Sequence, residues 1–234
     1  MTTERRDFLR QASLLAAGTL VAACADSTEV AVATTTTAAA PPPPTAPPPT
    51  TWDMSWVDRV TGTYRTAFDA PEISNGICLH QTRTYLAGFE TVYGLTVPDI
   101  TAVLVIRHHA IAMVLGDALW DNGEFGKEFE LRDPVTGKRP TANPFRAWPD
   151  GAEYALTRPD GGLDRLIARG VIVLCCDLAL NKISGAVADQ RDLSREDARA
   201  LVYANVLPGV IIMPSGIFAT TRAQAAGCGV MHAV

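Results

Sequence analysis

Three short apolar runs set the terms on which this chain can fold: "ITAVLVIRHH" at 100–109, "VIVLCC" at 171–176 and "GVIIMPSG" at 209–216. Their apolar stretches are rich in β-branched residues and show no polar alternation, so they read as strands covered on both faces. The stretches between them carry helical spacing. Residues 75–95 place Ile77, Leu79, Leu86, Phe89 and Val92 at helical intervals, and Pro98 marks the exit. "AIAMVLGDALWD" (110–121) reads as a second helix, and "GGLDRLIARG" as a short one ending on Gly170. "DLALNKISGAVADQ" follows, with Asp177 as its expected N-cap, and "LSREDARALVYANV" opens on a capping-box pattern from Ser194 to Asp197. "IFATTRAQAAG" reads as a last helix, "CGVMHAV" as a terminal strand, and "TGTYRTAFDA" (61–70) as a weaker first strand. Strands alternating with helices imply β-α-β units. The expected fold is therefore α/β, a mostly parallel sheet with helices on both faces.

Open sheets of this kind receive ligands outside the carboxyl ends of their strands. That rule selects three groups: Arg107, His108 and His109 after one strand; Cys175, Cys176 and Asp177 after the next; Pro214, Ser215 and Gly216 after the third. At Cys176 the chain leaves a strand and enters a helix, whose first amides stabilise anions and favour a thiolate. Cys175 precedes it and, by period-two alternation, points into the packing. Cys176 is thus the expected reactive thiol and Cys175 a core residue. Cys78 and Cys228 match no zinc spacing and read as core filler. Adjacent histidines on a strand end would face opposite ways, so one of His108 and His109 is expected to share the cleft with Cys176. A zinc or copper site using His108, His109 and Cys176 or Asp177 is an alternative, although Cys-x-x-Cys and His-x-x-x-His spacings are absent. Ser215 lacks a Gly-x-Ser-x-Gly frame, so its turn is read as an anion cradle in which Gly216 permits close approach. No Gly-rich nucleotide loop follows any strand, and the sequence names no cofactor.

The net charge of −5 excludes a phosphate-binding surface of the kind nucleic acid requires. Residues 122–159 break the strand–helix rhythm with glycine, proline and charge, and form an expected loop insertion. The N-terminus is different again. "ERRDFLR" sets Arg5 and Arg6 before an apolar run from Ala12 to Ala23, which resembles a twin-arginine export signal over residues 1–25, with Glu4 where a Ser or Thr is usual. Val21–Cys24 resembles a lipoprotein box, in which Cys24 would carry lipid; Ala23–Ala25 also satisfies a small-x-small cleavage site. A Thr/Ala/Pro-rich linker, 26–51, contains "TTTTAAAPPPPTAPPPTT", which has no large apolar side chain to bury. The folded domain then spans 52–234. A periplasmic or cell-envelope location is expected, with membrane contact only through the N-terminal lipid.

"VIVLCCDLAL" resembles the strand-Cys-x-x-small-Leu segment of the DsrE/DsrF-like sulfur-relay family. "LPGVIIMPSGIFATTRAQAAGCGVM" resembles that family's closing strand, Pro-Ser-Gly turn, helix and final strand. The likeness is strongest over 165–234, extends to 61–121 and leaves the middle loop unmatched. It implies a Rossmann-like domain, a homo-oligomer, and a persulfide-carrying cysteine at the position of Cys176, with small sulfur species or a thiol protein as partner. A non-catalytic oligomeric binding module that presents loop 122–159 is the remaining alternative.

Overall fold

The computed structural model describes residues 52–132, 137–146 and 161–234. The signal and linker, Cys24, and residues 133–136 and 147–159 of the loop insertion lie outside them. Among the described residues five strands form one sheet: β1 (Tyr64–Ala70), β2 (Ile100–Ile106), β3 (Ile172–Cys176), β4 (Val210–Met213) and β5 (Gly229–His232). Their order is β4-β3-β2-β1-β5, and every pairing is parallel. The expected α/β class is correct, and the weakly patterned first strand is present.

Alternation along the strands builds two cores. On β2, Ile100, Ala102, Leu104 and Ile106 point to one side, whereas Val103 and Val105 point to the other. The larger core is covered by α1 (Ile77–Tyr93), α3 (Leu163–Ala168), α4 (Asp177–Arg191) and α5 (Arg195–Ala204). The five-residue α2 (Glu124–Glu128) contributes Phe125 to the same side. The smaller core lies under α6 (Gly216–Ala225), which brings Ala219 and Ala223 against the sheet, with Trp56 beside them.

Connection handedness explains this division. The chain steps from β1 to β2, β3 and β4 in one direction, so right-handed crossovers put all the intervening helices on one face. The return from β4 to β5 runs the opposite way across the sheet, and the same hand sends α6 to the other face. Consequently, the loops after the neighbouring strands β3 and β4 diverge to opposite faces. A crevice opens at such a switch point.

Two local expectations are corrected. Residues 110–121 are not an α-helix: His108–Val114 and Asp117–Leu119 are 3-10 turns. Ala110 through Leu115 are all buried, so the segment has no polar face to show water. Tertiary partners replace the helical ladder. Asn143 Nδ2 donates to the carbonyls of Met113 (2.8 Å) and Leu115 (2.7 Å), Gly116 N to that of Asn205 (2.8 Å), and Leu207 N to that of Val114 (2.9 Å). Asn143 belongs to the supposed loop insertion, as do the buried Phe125 and Phe145 that pack on Trp120. Part of 122–159 is therefore core. The second correction concerns α4, whose N-cap is Cys176. Asp177 is its first helical residue. The helix after β4 and the Ser194 cap hold as expected, with Ser194 Oγ accepting from Asp197 N at 3.0 Å.

Candidate functional site

The carboxyl ends of the strands gather the expected groups on one rim. β3 ends at Cys176, which pairs in register with Met213, so Pro214, Ser215 and Gly216 follow directly beside it. Cys176 and Ser215 thus stand beside each other at the carboxyl ends of β3 and β4, where the rule for open sheets expects a crevice. Cys175 is wholly buried in the larger core, and burial pushes its thiol well above the ordinary range, with the neighbouring Cys176 and Asp177 adding to the rise. Cys176 is 6 % exposed and packs partly into that same core. The expected solvent-facing thiol is corrected to one at the rim but largely covered, because the strand's alternation breaks at the turn into α4. Both cysteines are free thiols, as are the buried Cys78 and Cys228. Burial raises the Cys78 thiol to about 12, and raises that of Cys228 against the pull of Arg65.

Arg107 organises this rim. It follows β2 in extended conformation and forms a two-pronged ion pair with Asp69 of β1, Nε to Oδ1 at 2.7 Å and Nη2 to Oδ2 at 2.8 Å. His232 Nδ1, at the end of β5, also meets Asp69 Oδ2 at 3.2 Å. Burial pushes the Asp69 carboxyl up, but the hydrogen bonds and charges of Arg107 and His232 outweigh it and hold the group below the usual carboxylate range. Arg107 also interacts electrostatically with Cys176. Its stem crosses the start of α6 so closely that a Cβ on Gly216 would stand 2.5 Å from Arg107 Cδ and 2.6 Å from its Cβ. Gly216 therefore does permit a close approach, and the group that approaches is this arginine. Ser215 caps α6, its Oγ accepting from Phe218 N at 3.0 Å.

Asp177 looks away from the crevice. Its carboxylate accepts from the Tyr203 hydroxyl and from Asn181 Nδ2 (3.0 Å), tying α4 to α5. Burial and the bond to this carboxylate together hold the Tyr203 phenol above its ordinary range. The histidines depart most from expectation. They lie beyond the end of β2, and His108 has φ +51°, in the left-handed region. That turn brings both rings to the same side, 4.0 Å apart, where each Nδ1 meets one oxygen of Glu72, His108 at 3.1 Å and His109 at 3.0 Å. Among the described residues, Glu72, His108 and His109 form a set that could hold a metal, and Cys176 and Asp177 stand outside it. The expected ligand set is thereby corrected.

Sequence reasoning missed Asp69, Glu72 and His232 as rim residues and gave Arg107 no role. The same carboxyl-end rule, applied to "FDAPE" at the end of the first strand and to His232 at the last, picks out all three missed residues. An apolar cavity of about 510 Å³ lies elsewhere, between α1 and the β1/β5 edge, lined by residues including Phe68, Tyr85, Phe89, Tyr93 and Met231. It touches none of the crevice residues.

No family model matches the chain, and no curated protein does. A solved structure described as a protein of unknown function, MTH1491 from Methanobacterium thermoautotrophicum, is similar with a TM-score of 0.38 and 14 % identity. The alignment covers 72 % of this chain and 98 % of that one.

The ion pair of Asp69 has a measurable consequence. A carboxylate held below its unfolded value contributes stability that is complete above about pH 4 and is lost as pH falls through its folded value. Asp69→Asn is expected to cost about 1.5–3 kcal/mol at neutral pH, the usual worth of hydrogen bonds to a charged group. In urea titrations the gap between the two proteins should close below about pH 4. A gap that stays constant to pH 2 would contradict the assignment.

Proposed function

We propose that the chain is an exported protein of the kind resembling DsrE/DsrF-like sulfur relays, and that Cys176 takes up and passes on sulfane sulfur. The observation that carries this reading is the setting of Cys176: the N-cap of α4, at the neighbouring carboxyl ends of β3 and β4, within the electrostatic reach of Arg107. The guanidinium and the first amides of α4 suit an anionic sulfur there. In the transfer, the Cys176 thiolate attacks the outer sulfur of a small persulfide R–S–SH. An S–S bond forms to Cys176, the S–S bond of the small persulfide breaks, and R–S⁻ leaves with the electron pair. No external oxidant or reductant takes part.

Exposed apolar residues near the crevice support delivery to a protein partner. Leu178, next but one to Cys176, is 65 % exposed, and Ile217 and Phe218 at the start of α6 are 73 % and 40 % exposed. A second copy of the chain is the proposed partner for the opposite edge of the sheet. There β5 has no outer neighbour among the described strands, and Tyr64, Val92, Tyr93, Val230 and Met231 are exposed.

Incubation with glutathione persulfide should add one sulfur to the folded wild-type protein at Cys176, read by peptide mass spectrometry. Cys176→Ser should remove that adduct and leave the circular dichroism spectrum unchanged; equal loading of the variant would overturn the reading. Val230→Lys combined with Met231→Lys is expected to lower the mass in analytical ultracentrifugation to that of one chain, and a wild type already at that mass refutes the self-association. For export, Arg5→Lys with Arg6→Lys should strand the chain in the cytoplasmic fraction, whereas undiminished export would discard the twin-arginine route.

A further inference from the structure

We infer that Glu72, His108 and His109 form a binding site for a divalent transition metal of the zinc class, separate from the thiol at Cys176. Two imidazoles and one carboxylate are a recognised donor set for zinc. The fold assembles it from neighbouring strand ends. β1 and β2 run in register to Ala70 and Ile106, so the segments that follow emerge side by side. Pro71 then places Glu72 opposite His108 and His109. The left-handed φ of +51° at His108 turns two adjacent side chains to one side, which an extended strand cannot do.

The distances are close to those a metal requires. Ligands about 2.0–2.1 Å from a tetrahedral ion stand about 3.3 Å from one another. Glu72 oxygens already lie 3.1 Å from His108 Nδ1 and 3.0 Å from His109 Nδ1. One ligand atom from each of the three residues falls within 4.8 Å of the others. The side chains are 47 %, 49 % and 42 % exposed for His108, His109 and Glu72, which leaves them room to rotate towards a shared ion. An ion would replace the two Nδ1···carboxylate hydrogen bonds, each neutral ring then carrying its single proton on Nε2 and offering the Nδ1 lone pair. Three protein ligands leave a position open to water or a small anion, as in zinc sites that carry out chemistry.

The test is a calorimetric titration of the reduced, metal-stripped full chain with zinc chloride. One zinc per chain is expected, and Glu72→Gln, His108→Ala and His109→Ala should each weaken binding about tenfold or more. The glutamine variant keeps the shape of the side chain, so its loss of affinity reports the carboxylate rather than misfolding. Cys176→Ser should bind zinc like the wild type while losing sulfane loading, which separates this site from the proposed sulfur chemistry. Binding that survives in all three variants, that disappears in Cys176→Ser, or that is absent at about 100 μM zinc would overturn the inference.

Discussion

The handedness of the last crossover governs the arrangement of this domain. Because β1 to β4 are laid down in one direction, their connecting helices stack on one face, and the return to β5 must carry α6 over the other. That single reversal separates the loops of β3 and β4. It also brings the N-termini of α4 and α6 to the two sides of one crevice, with Cys176 capping the first and Ser215 the second. Had β5 been added beyond β4, no divergence would occur there and the two caps would lie on the same face.

Arg107 converts this backbone geometry into a charged rim. Its fork is fixed on Asp69, its stem rests against the Cα of Gly216, and its charge reaches Cys176. From the end of β2, one side chain thereby links the carboxyl ends of β1, β3 and β4. A planar, permanently charged guanidinium suits the task, since it can hold a carboxylate with two bonds and still present positive charge elsewhere. The adjoining histidines are a distinct feature, organised by Glu72 and by the left-handed turn at His108 rather than by the crevice.

The fold was legible because its signals are local. Continuous β-branched runs, caps such as Ser194 and terminators such as Gly170, which adopts φ +93°, all read directly from neighbouring residues. Residues 110–121 misled because their apolar content suits either a helix or a buried irregular segment. The choice was made by Asn143, thirty residues away in sequence from Met113. Cys176, Ser215 and Gly216 were found by the carboxyl-end rule. Their partners were harder to see: Asp69 sits near the end of a first strand too polar to announce a buried end, Glu72 lies just beyond it, and the pairing of His108 with His109 depends on one backbone angle. The carboxylate of Asp177 looked like a cap, and only the position of Tyr203 on α5 shows what it holds.

If the divergence of α4 and α6 gives the rim its chemistry, the two neighbouring thiols must differ in access although one peptide bond separates them. Time-resolved alkylation of the native protein with iodoacetamide, read cysteine by cysteine in the mass spectrometer, measures that difference. Cys176 should be modified well before Cys175, which should react only at the rate of global unfolding. Modification of Cys175 as fast as Cys176, or of Cys176 only when the whole chain unfolds, would contradict the placement of the sulfur at the crevice.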